Sequence, residues 1–165
     1  MFEQIIPWGL AMAAVAAGLV GGVFLTFSDF VMRSLAASAP MSGMEAMQEI
    51  NRKVYRSVFM VLLLGMVPVS LVIAVAATAL ATGSVRVWLL SGAALYLVGV
   101  FVVTAAGNVP MNKRLDVLGL TQASAQGYWQ HYLRNWTWWN HVRTIASIAA
   151  AACYLAGAML LGQTA

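Results

Sequence analysis

The stretch WTWWNHVRTIASIAAAACYLAGAMLL, from Trp136 to Leu161, decides the fold: a polar, aromatic segment runs directly into about 20 apolar residues, the length of a membrane span. Spacings of four, three and four residues place four of its side chains on one face of a helix: Trp136, Asn140, Arg143 and Ser147. The stretch therefore predicts a membrane helix that presents an indole, an amide and a guanidinium on the same side.

The rest of the chain has the same character, because 62% of its 165 residues are hydrophobic and only 8% are charged. So few polar side chains cannot cover a soluble domain of this size. Four stretches are long and apolar enough to span a membrane, at about residues 7–27, 57–80, 87–107 and 142–161. We predict an all-α fold: a single transmembrane domain over residues 1–165, built as a four-helix bundle with amphipathic helical connections on the cytoplasmic side.

Orientation can be predicted from the basic residues, which concentrate in the two longer connections. They are Arg33, Arg52, Lys53, Arg56, Lys113, Arg114 and Arg134. The positive-inside rule places these connections in the cytoplasm and both termini outside, in what we expect to be a bacterial inner membrane. The net charge of +4 is therefore a topology signal, and no basic block suggests nucleic acid.

The first span carries two informative pairs. Gly18 and Gly22 form a G-x-x-x-G pair, which favours close packing within the bundle over a dimer. Asp29 and Arg33 are four residues apart, so we expect a structural ion pair at the membrane boundary. The apolar run is longer than a signal-peptide core and follows no basic residue, which predicts an uncleaved span.

An amphipathic helix is predicted between the first two spans. Ser42 is a competent N-cap with Glu45 at capping-box spacing, so the helix is expected to start after Gly43. Its methionine stripe predicts packing rather than metal binding. Asn51 continues that stripe, and a structural hydrogen bond and a site role are equally open for it.

Two further amides lie after the third span. Asn108 can cap a short helix that begins at Val109, and for it the capping role is at least as well supported as a site role. Asn112 shares its face and favours the site role. From Thr121 onward one helix of about 40 residues, roughly 60 Å long, can run into the fourth span.

All these polar groups lie at one end of the predicted bundle, where they can meet in a pocket at the cytoplasmic membrane boundary. An interfacial belt is the other interpretation, because Trp and Arg favour that depth. We expect the belt for three residues: Trp129, Trp138 and Arg134. For Asn140, His141 and Arg143 both interpretations remain open.

The two histidines do not predict a shared metal site. His131 and His141 are ten residues apart, about 15 Å along a continuous helix, which is too far for one ion. No metal site is therefore expected, with a haem held by a single histidine as the less favoured alternative.

Four motifs in order carry a family resemblance: FSDFVM (27–32), AMQEIN (46–51), NVPMN (108–112) and WTWWNHVRT (136–144). Over nearly its whole length the chain resembles the anthrone oxygenase-like family of small four-span membrane proteins, most of which have no assigned function. Arg33 departs from the pattern, since many relatives have proline there. The resemblance implies oxidation of an anthrone to an anthraquinone by dioxygen, without a recognised cofactor.

The resemblance also implies a mechanism in which the protein binds an anthrone, removes a proton and stabilises the enolate. His141 is the predicted general base, because its ordinary pKa suits neutral pH. Arg143 and Asn140 are expected to hold the enolate oxygen. Trp136 and Trp139 are expected to stack on the flat substrate. Three amides are expected to position phenolic hydroxyls: Asn51, Asn108 and Asn112.

Two other classes of function stay open. A binding or transport protein for a lipid or a flat amphiphile can use the same pocket without turnover. A structural subunit of a larger membrane assembly, or a homo-oligomer, can use the glycine face of the first span and the tryptophan belt. Whichever function applies, we predict membrane lipid and a small aromatic or amphiphilic molecule as partners.

Overall fold

A computed structural model describes residues 2–119 and 123–163, and every regular element among them is helical. The first span comprises α1 (Phe2–Thr26), a π-helical turn (Phe27–Val31) and α2 (Met32–Ala37). It is followed by α3 (Pro40–Val54) and by the second span, α4 (Val58–Leu80). The third span comprises α5 (Gly83–Ala94), two π-helical segments (Leu95–Val102 and Thr104–Asn108) and α6 (Val109–Asp116). The fourth is α7 (Ala123–Gly162).

Four helical segments are long and apolar enough to cross a membrane: Ile5–Ala37, Val58–Leu80, Gly83–Asp116 and Ala125–Gly162. This confirms the predicted all-α, four-span fold. The second segment agrees with the predicted span to within one residue. The other three extend well beyond their apolar runs, mainly toward the end that carries the polar connections.

Helix α7 is the centre of the packing. It contacts both α1 and α5, and α4 contacts the same two helices, so the four spans close into a bundle with α7 opposite α4. The prediction of one unbroken helix of 40 residues is confirmed for Ala123–Gly162. At about 1.5 Å per residue, this helix is long enough to reach from the membrane core well past its boundary.

Glycine allows the neighbouring helices to approach α7 closely. A Cβ atom added at Gly99 would lie 2.5 Å from the Cβ of Ala146, and one added at Gly21 would lie 3.0 Å from Ile148. At Gly22 nothing lies within 4 Å, so this half of the predicted G-x-x-x-G contact is wrong. The packing glycine is the adjacent Gly21, because successive helical residues point about 100° apart and spacing alone did not tell the two apart.

The buried apolar residues fall into two groups. The membrane core consists mainly of aliphatic and small side chains, such as Ala17, Val20 and Ala150. The aromatic-methionine cluster lies at the polar end, and its members are Met32, Met44, Met47, Leu115, Ala125, Tyr128, Trp129, Tyr132 and Trp136. The predicted role of the methionine stripe in packing is confirmed, because Met44 and Met47 are fully buried.

Trp129 corrects the predicted interfacial belt. Its side chain is 1% exposed and stacks on Tyr132 with ring centroids 5.7 Å apart, so it is a core residue. The belt prediction failed there because α3 and α6 cover this part of α7, which the apolar runs alone did not reveal. Trp138 and Arg134 are exposed, as a belt requires.

Helix α3 begins earlier than predicted, at Pro40, with Ala39 as its N-cap, and Ser42 lies inside its first turn. Proline suits this position because the first helical N–H groups have no partner within the helix. At its other end, Arg52 donates hydrogen bonds to Asp116 of α6 (2.7 Å) and to Glu49 (2.8 Å). These bonds raise the pKa of Arg52, and the bond from Arg52 lowers the pKa of Glu49. Of these two ion pairs, the one with Asp116 joins α3 to α6.

Candidate functional site

A pocket opens between the membrane core and the aromatic-methionine cluster, and we call it the polar pocket. Its volume is about 80 Å³. Its polar lining residues are Asn51, Thr104, Asn108, Asn112, Asn140 and Arg143, and its aromatic ones are Phe24, Phe27, Tyr55, Phe59 and Trp136. All four spans and α3 contribute to it, so the predicted convergence at one end of the bundle is observed.

Arg143 is the most unusual group in the polar pocket. Its side chain is only 5% exposed, and its guanidinium carbon lies 4.3 Å from the ring centre of Phe24 and 5.1 Å from that of Trp136. It donates to Asn140 Oδ1 at 2.7 Å and, weakly, to Thr104 Oγ1 at 3.5 Å, while its Nε has no partner. None of the ion pairs in the described part of the chain involves it. The pocket therefore holds a buried positive charge without a carboxylate to balance it.

Asn140 holds Arg143 in place. Its amide nitrogen donates to the carbonyl of Phe24 (2.6 Å) and to Ser28 Oγ (2.7 Å), and its oxygen accepts from Arg143. Both amide protons are therefore used within the protein. This corrects the prediction that Asn140 itself holds an enolate oxygen: it joins α1 to α7 and positions the guanidinium.

Asn108 occupies the N-cap position of α6, but its side chain does not cap the helix as predicted. Its side chain makes no capping bond to α6 and instead donates to the carbonyl of Trp136 at 3.1 Å. The residue is 1% exposed, and its Oδ1 has no hydrogen-bond partner in the protein. A buried acceptor without a partner is costly. It therefore favours a ligand that can donate a hydrogen bond at this point of the pocket.

Asn112 links two aromatic side chains at the inner wall of the polar pocket. Its Oδ1 accepts from Tyr132 Oη (2.8 Å) and from Trp136 Nε1 (2.7 Å), and Asn51 Nδ2 makes a longer bond of 3.4 Å to Tyr132. Tyr132 was not among the residues predicted for the site. The signal was its spacing of four residues before Trp136, which places the two rings on the same face with centroids 5.8 Å apart.

Two π-helical segments border the pocket, Phe27–Val31 on the first span and Thr104–Asn108 on the third. A π-helical turn moves a backbone bond from the fourth to the fifth residue, as in the bond from Met32 N to Phe27 O. Such turns are rare and frequently occur at functional sites. Here they lie beside the carbonyl of Phe24, which Asn140 bonds, and the hydroxyl of Thr104, which Arg143 contacts.

His141 and Trp139 lie outside the polar pocket, contrary to the predicted arrangement. Both side chains are exposed, and neither lines it. His141 is two residues from Arg143, which places it about 160° away around the helix. Trp139 packs over Gly107 and lines a separate surface recess with His131 and Asn135. The structure thus brings together six predicted residues and leaves these two outside: the six are Asn51, Asn108, Asn112, Trp136, Asn140 and Arg143.

The histidines are also apart from each other and from further metal-binding side chains. His131 contacts Asn135 through its Nδ1 (3.1 Å) and stacks on Tyr128. Within residues 2–119 and 123–163, no three His, Cys, Asp or Glu side chains lie close enough to hold a metal ion. The predicted Asp29–Arg33 ion pair forms at 2.8 Å; it is exposed and lies away from the pocket lining.

A comparison with known protein families gives a match. The family model for anthrone oxygenase matches residues 52–153, which is more than half of the chain and includes Asn108, Asn112, Trp136, Asn140 and Arg143. No match was found among curated proteins or solved structures. The family match includes two of the four motifs, 108–112 and 136–144, and confirms the family resemblance: the chain belongs to the anthrone oxygenase family.

Proposed function

We propose that the protein oxidises an anthrone-type phenolic substrate with dioxygen in the polar pocket. The observation that carries the proposal is the buried guanidinium of Arg143, which has no carboxylate partner among the described residues and faces aromatic walls. An isolated buried cation is costly to the folded state. An anionic aromatic ligand relieves that cost, and an anthrone enolate is such a ligand.

The chemistry requires little more than stabilisation of the enolate. An anthrone loses a proton from the CH₂ group opposite its carbonyl, and the resulting negative charge lies largely on oxygen. A fixed cation beside that oxygen stabilises the charge as it forms, in a site where water screens it poorly. Binding the enolate more tightly than the neutral anthrone therefore increases the amount of the species that reacts with dioxygen.

The reaction balances without a further oxidant. The enolate carbon transfers electrons to dioxygen and forms a C–O bond, which gives a hydroperoxide. Loss of water from the hydroperoxide leaves the second carbonyl of the anthraquinone. One dioxygen is consumed, and one water is released, for each substrate. The enolate supplies all the electrons, so the proposal includes no resident cofactor.

The other pocket residues have supporting roles in this proposal. Trp136, Phe24 and Phe27 provide flat apolar surface for the rings. The unpaired Oδ1 of Asn108 accepts a hydrogen bond from a phenolic hydroxyl, and Asn51 and Asn112 offer further polar contacts. Asn140 keeps the guanidinium in position through its bond to Arg143.

The location of the reaction follows from the basic residues in the two longer connections. We place the polar pocket at the cytoplasmic boundary of a bacterial inner membrane, with both termini outside. An apolar phenolic substrate partitions into this region of the bilayer, and dioxygen dissolves readily in the hydrocarbon core. Both reactants are therefore concentrated where the pocket lies.

The test is oxygen uptake by the purified protein in lipid nanodiscs with anthrone, with anthraquinone measured in the same sample. We expect one dioxygen to be consumed per anthraquinone, at a rate well above that of empty nanodiscs, which corrects for spontaneous oxidation. An optical spectrum and metal analysis of the same preparation test the absence of a cofactor. A Soret band or stoichiometric metal would contradict that part of the proposal.

Saturable binding of anthrone without conversion would reject the oxygenase and favour a binding or transport protein for flat amphiphiles. Quenching of tryptophan fluorescence can detect such binding, because Trp136 lines the polar pocket. Absence of both binding and turnover would reject both functions.

A further inference from the structure

The proposed oxidation needs a group that accepts the proton from the substrate carbon. Among the described residues that line the polar pocket, none is Asp, Glu or His. His141, the base predicted from the sequence, is exposed and lies outside the pocket. The described lining of the pocket therefore offers no carboxylate or imidazole as the proton acceptor.

A second recess adjoins the polar pocket, and we call it the outer recess. Its lining residues are Asn51, Arg52, Tyr55, Asn112, Lys113 and Asp116, and its volume is about 340 Å³. Three of them also line the polar pocket: Asn51, Tyr55 and Asn112. The two spaces thus meet at a pair of amides and a phenol. A recess of this size with several polar walls is suited to hold water.

Asp116 is the only carboxylate among the described residues that line the outer recess. One of its oxygens, Oδ1, accepts from Arg52 Nε at 2.7 Å, and no protein group in the described chain bonds the other. Arg52 also bonds Glu49, which lies 3.5 Å from Lys53. The charged groups near Asp116 are therefore Arg52, Glu49 and Lys53 of α3 and Lys113 of its own helix. One carboxylate oxygen is held in place, and the other is free to accept a proton.

We propose that Asp116 accepts the substrate proton through water in the outer recess, past Asn51 and Asn112. The inference rests on the proposed oxygenase function. The proton leaves the substrate carbon as Arg143 stabilises the enolate, passes through water and binds the Asp116 carboxylate. After dioxygen has added, the same proton returns to the outer peroxide oxygen and gives the hydroperoxide. Elimination then breaks the O–O bond and the remaining C–H bond of that carbon, and this second proton joins the departing oxygen to make water, so no proton is gained or lost in the cycle.

A carboxylate is a weak base, but the enolate is not formed without help. A positioned Asp suffices as base when an oxyanion-stabilising group lowers the pKa of the carbon acid, as in ketosteroid isomerase. Arg143 supplies that stabilisation in the polar pocket. Asp116 in the outer recess therefore accepts the proton, and Arg143 in the polar pocket stabilises the negative charge that remains on the substrate.

The experiment compares Asp116→Asn with Asp29→Asn over a range of pH, with anthrone and the oxygen-uptake assay. Asp29 is a matched control, because its carboxylate also pairs with an arginine at 2.8 Å, is exposed and lies outside both spaces. We expect Asp116→Asn to lower turnover by about 100-fold at neutral pH. Its rate should recover as the pH rises, because hydroxide replaces the carboxylate. Asp29→Asn should follow the wild-type profile.

A wild-type rate and pH profile in Asp116→Asn would overturn the inference and leave the oxygenase function standing. An inactive wild-type protein would remove the oxygenase function and this inference with it. If Asp116→Asn does not fold, Asp116→Glu preserves the charge and the pair with Arg52. It should slow turnover several-fold and enlarge the isotope effect of deuterium at the reacting carbon. An unchanged rate and isotope effect in that variant would overturn the inference.

Discussion

The nine residues Trp136–Thr144 form two helix faces, one buried and the other exposed. On one face Trp136, Asn140 and Arg143 are at most 5% exposed and line the polar pocket. On the other, Trp138 is 62% exposed and His141 is also exposed. Both faces carry residue types found in active sites. The buried face packs against both α1 and the third span and bonds to them, so the neighbouring helices determine which of these groups form a site.

The difference between the faces is a difference in hydration. An exposed imidazole or indole on α7 keeps its contacts with water or lipid headgroups. A buried guanidinium has exchanged water for one amide, one distant hydroxyl and two rings. Its interaction with an anion is therefore stronger, because the surroundings screen charge less.

The largest effect is expected from Arg143→Met, which removes the charge from the buried face. We expect turnover of anthrone to fall by about 10²–10³-fold, the usual loss when a group that stabilises an oxyanion is removed. Thermal unfolding should be unchanged or shifted upward, because an apolar side chain of similar length needs no balancing charge. Oxygen uptake and the unfolding midpoint measured on the same preparation test both parts.

Arg134→Met is the matched control, since Arg134 lies on the same helix and is exposed. It should alter neither activity nor stability appreciably. A large loss of stability in Arg143→Met with normal activity would show that the buried cation is structural and would contradict the proposed function.

A second variant, Asn140→Ala, tests how much the hydrogen bonds on the buried face stabilise the protein. It leaves the Phe24 carbonyl, Ser28 and Arg143 without their bonds, so we expect a loss of about 2 kcal/mol in unfolding free energy. Turnover should also fall, because the guanidinium loses its anchor. Unfolding in detergent measures the first effect, and oxygen uptake the second.

Asn135→Ala is its control on the outer face, where Asn135 bonds only His131. The loss of stability should be much smaller than in Asn140→Ala. Equal losses in the two variants would mean that the buried bonds of Asn140 add nothing beyond those of a surface amide.

The smallest effect is expected from His141→Ala, on the exposed face. Turnover should stay within about twofold of wild type, because the imidazole neither lines the polar pocket nor contacts Arg143. Oxygen uptake at several pH values is the measurement. A loss of tenfold or more would return His141 to the role of base and would place the reaction on the other face of α7.

The fold was largely predictable, because the length of each apolar run and its helical spacing can be recognised within one segment of the sequence. The second span was located to within one residue, and α7 was predicted as one helix because no proline interrupts it. Packing details were less accessible. Gly21 and Gly22 are adjacent glycines with the same composition around them, and only the position of Ile148 on α7 decides which of them packs.

The candidate site was predictable at the level of one helix face and less so across helices. The spacing of Trp136, Asn140 and Arg143 gave the buried face correctly. The individual bonds of Asn140 and Asn108 join different spans, and π-helical segments lie beside both residues' partners or positions. No residue pattern in the sequence predicted the π-helical turns. The chemistry of His141 suggested a base, but chemical type carries no information about which way a helix faces.

The unbroken course of α7 has a consequence for how a ligand enters. Tyr132, Trp136 and Arg143 lie on a single rigid rod, so they keep their mutual positions while other parts move. With a volume of about 80 Å³, the polar pocket in this state holds a few water molecules, less than a three-ring aromatic needs. Tyr55 lies where α3 ends, in the short turn before α4, and borders both the polar pocket and the outer recess. We therefore expect the pocket to widen on the side of this turn, and not on the side of α7, when substrate enters.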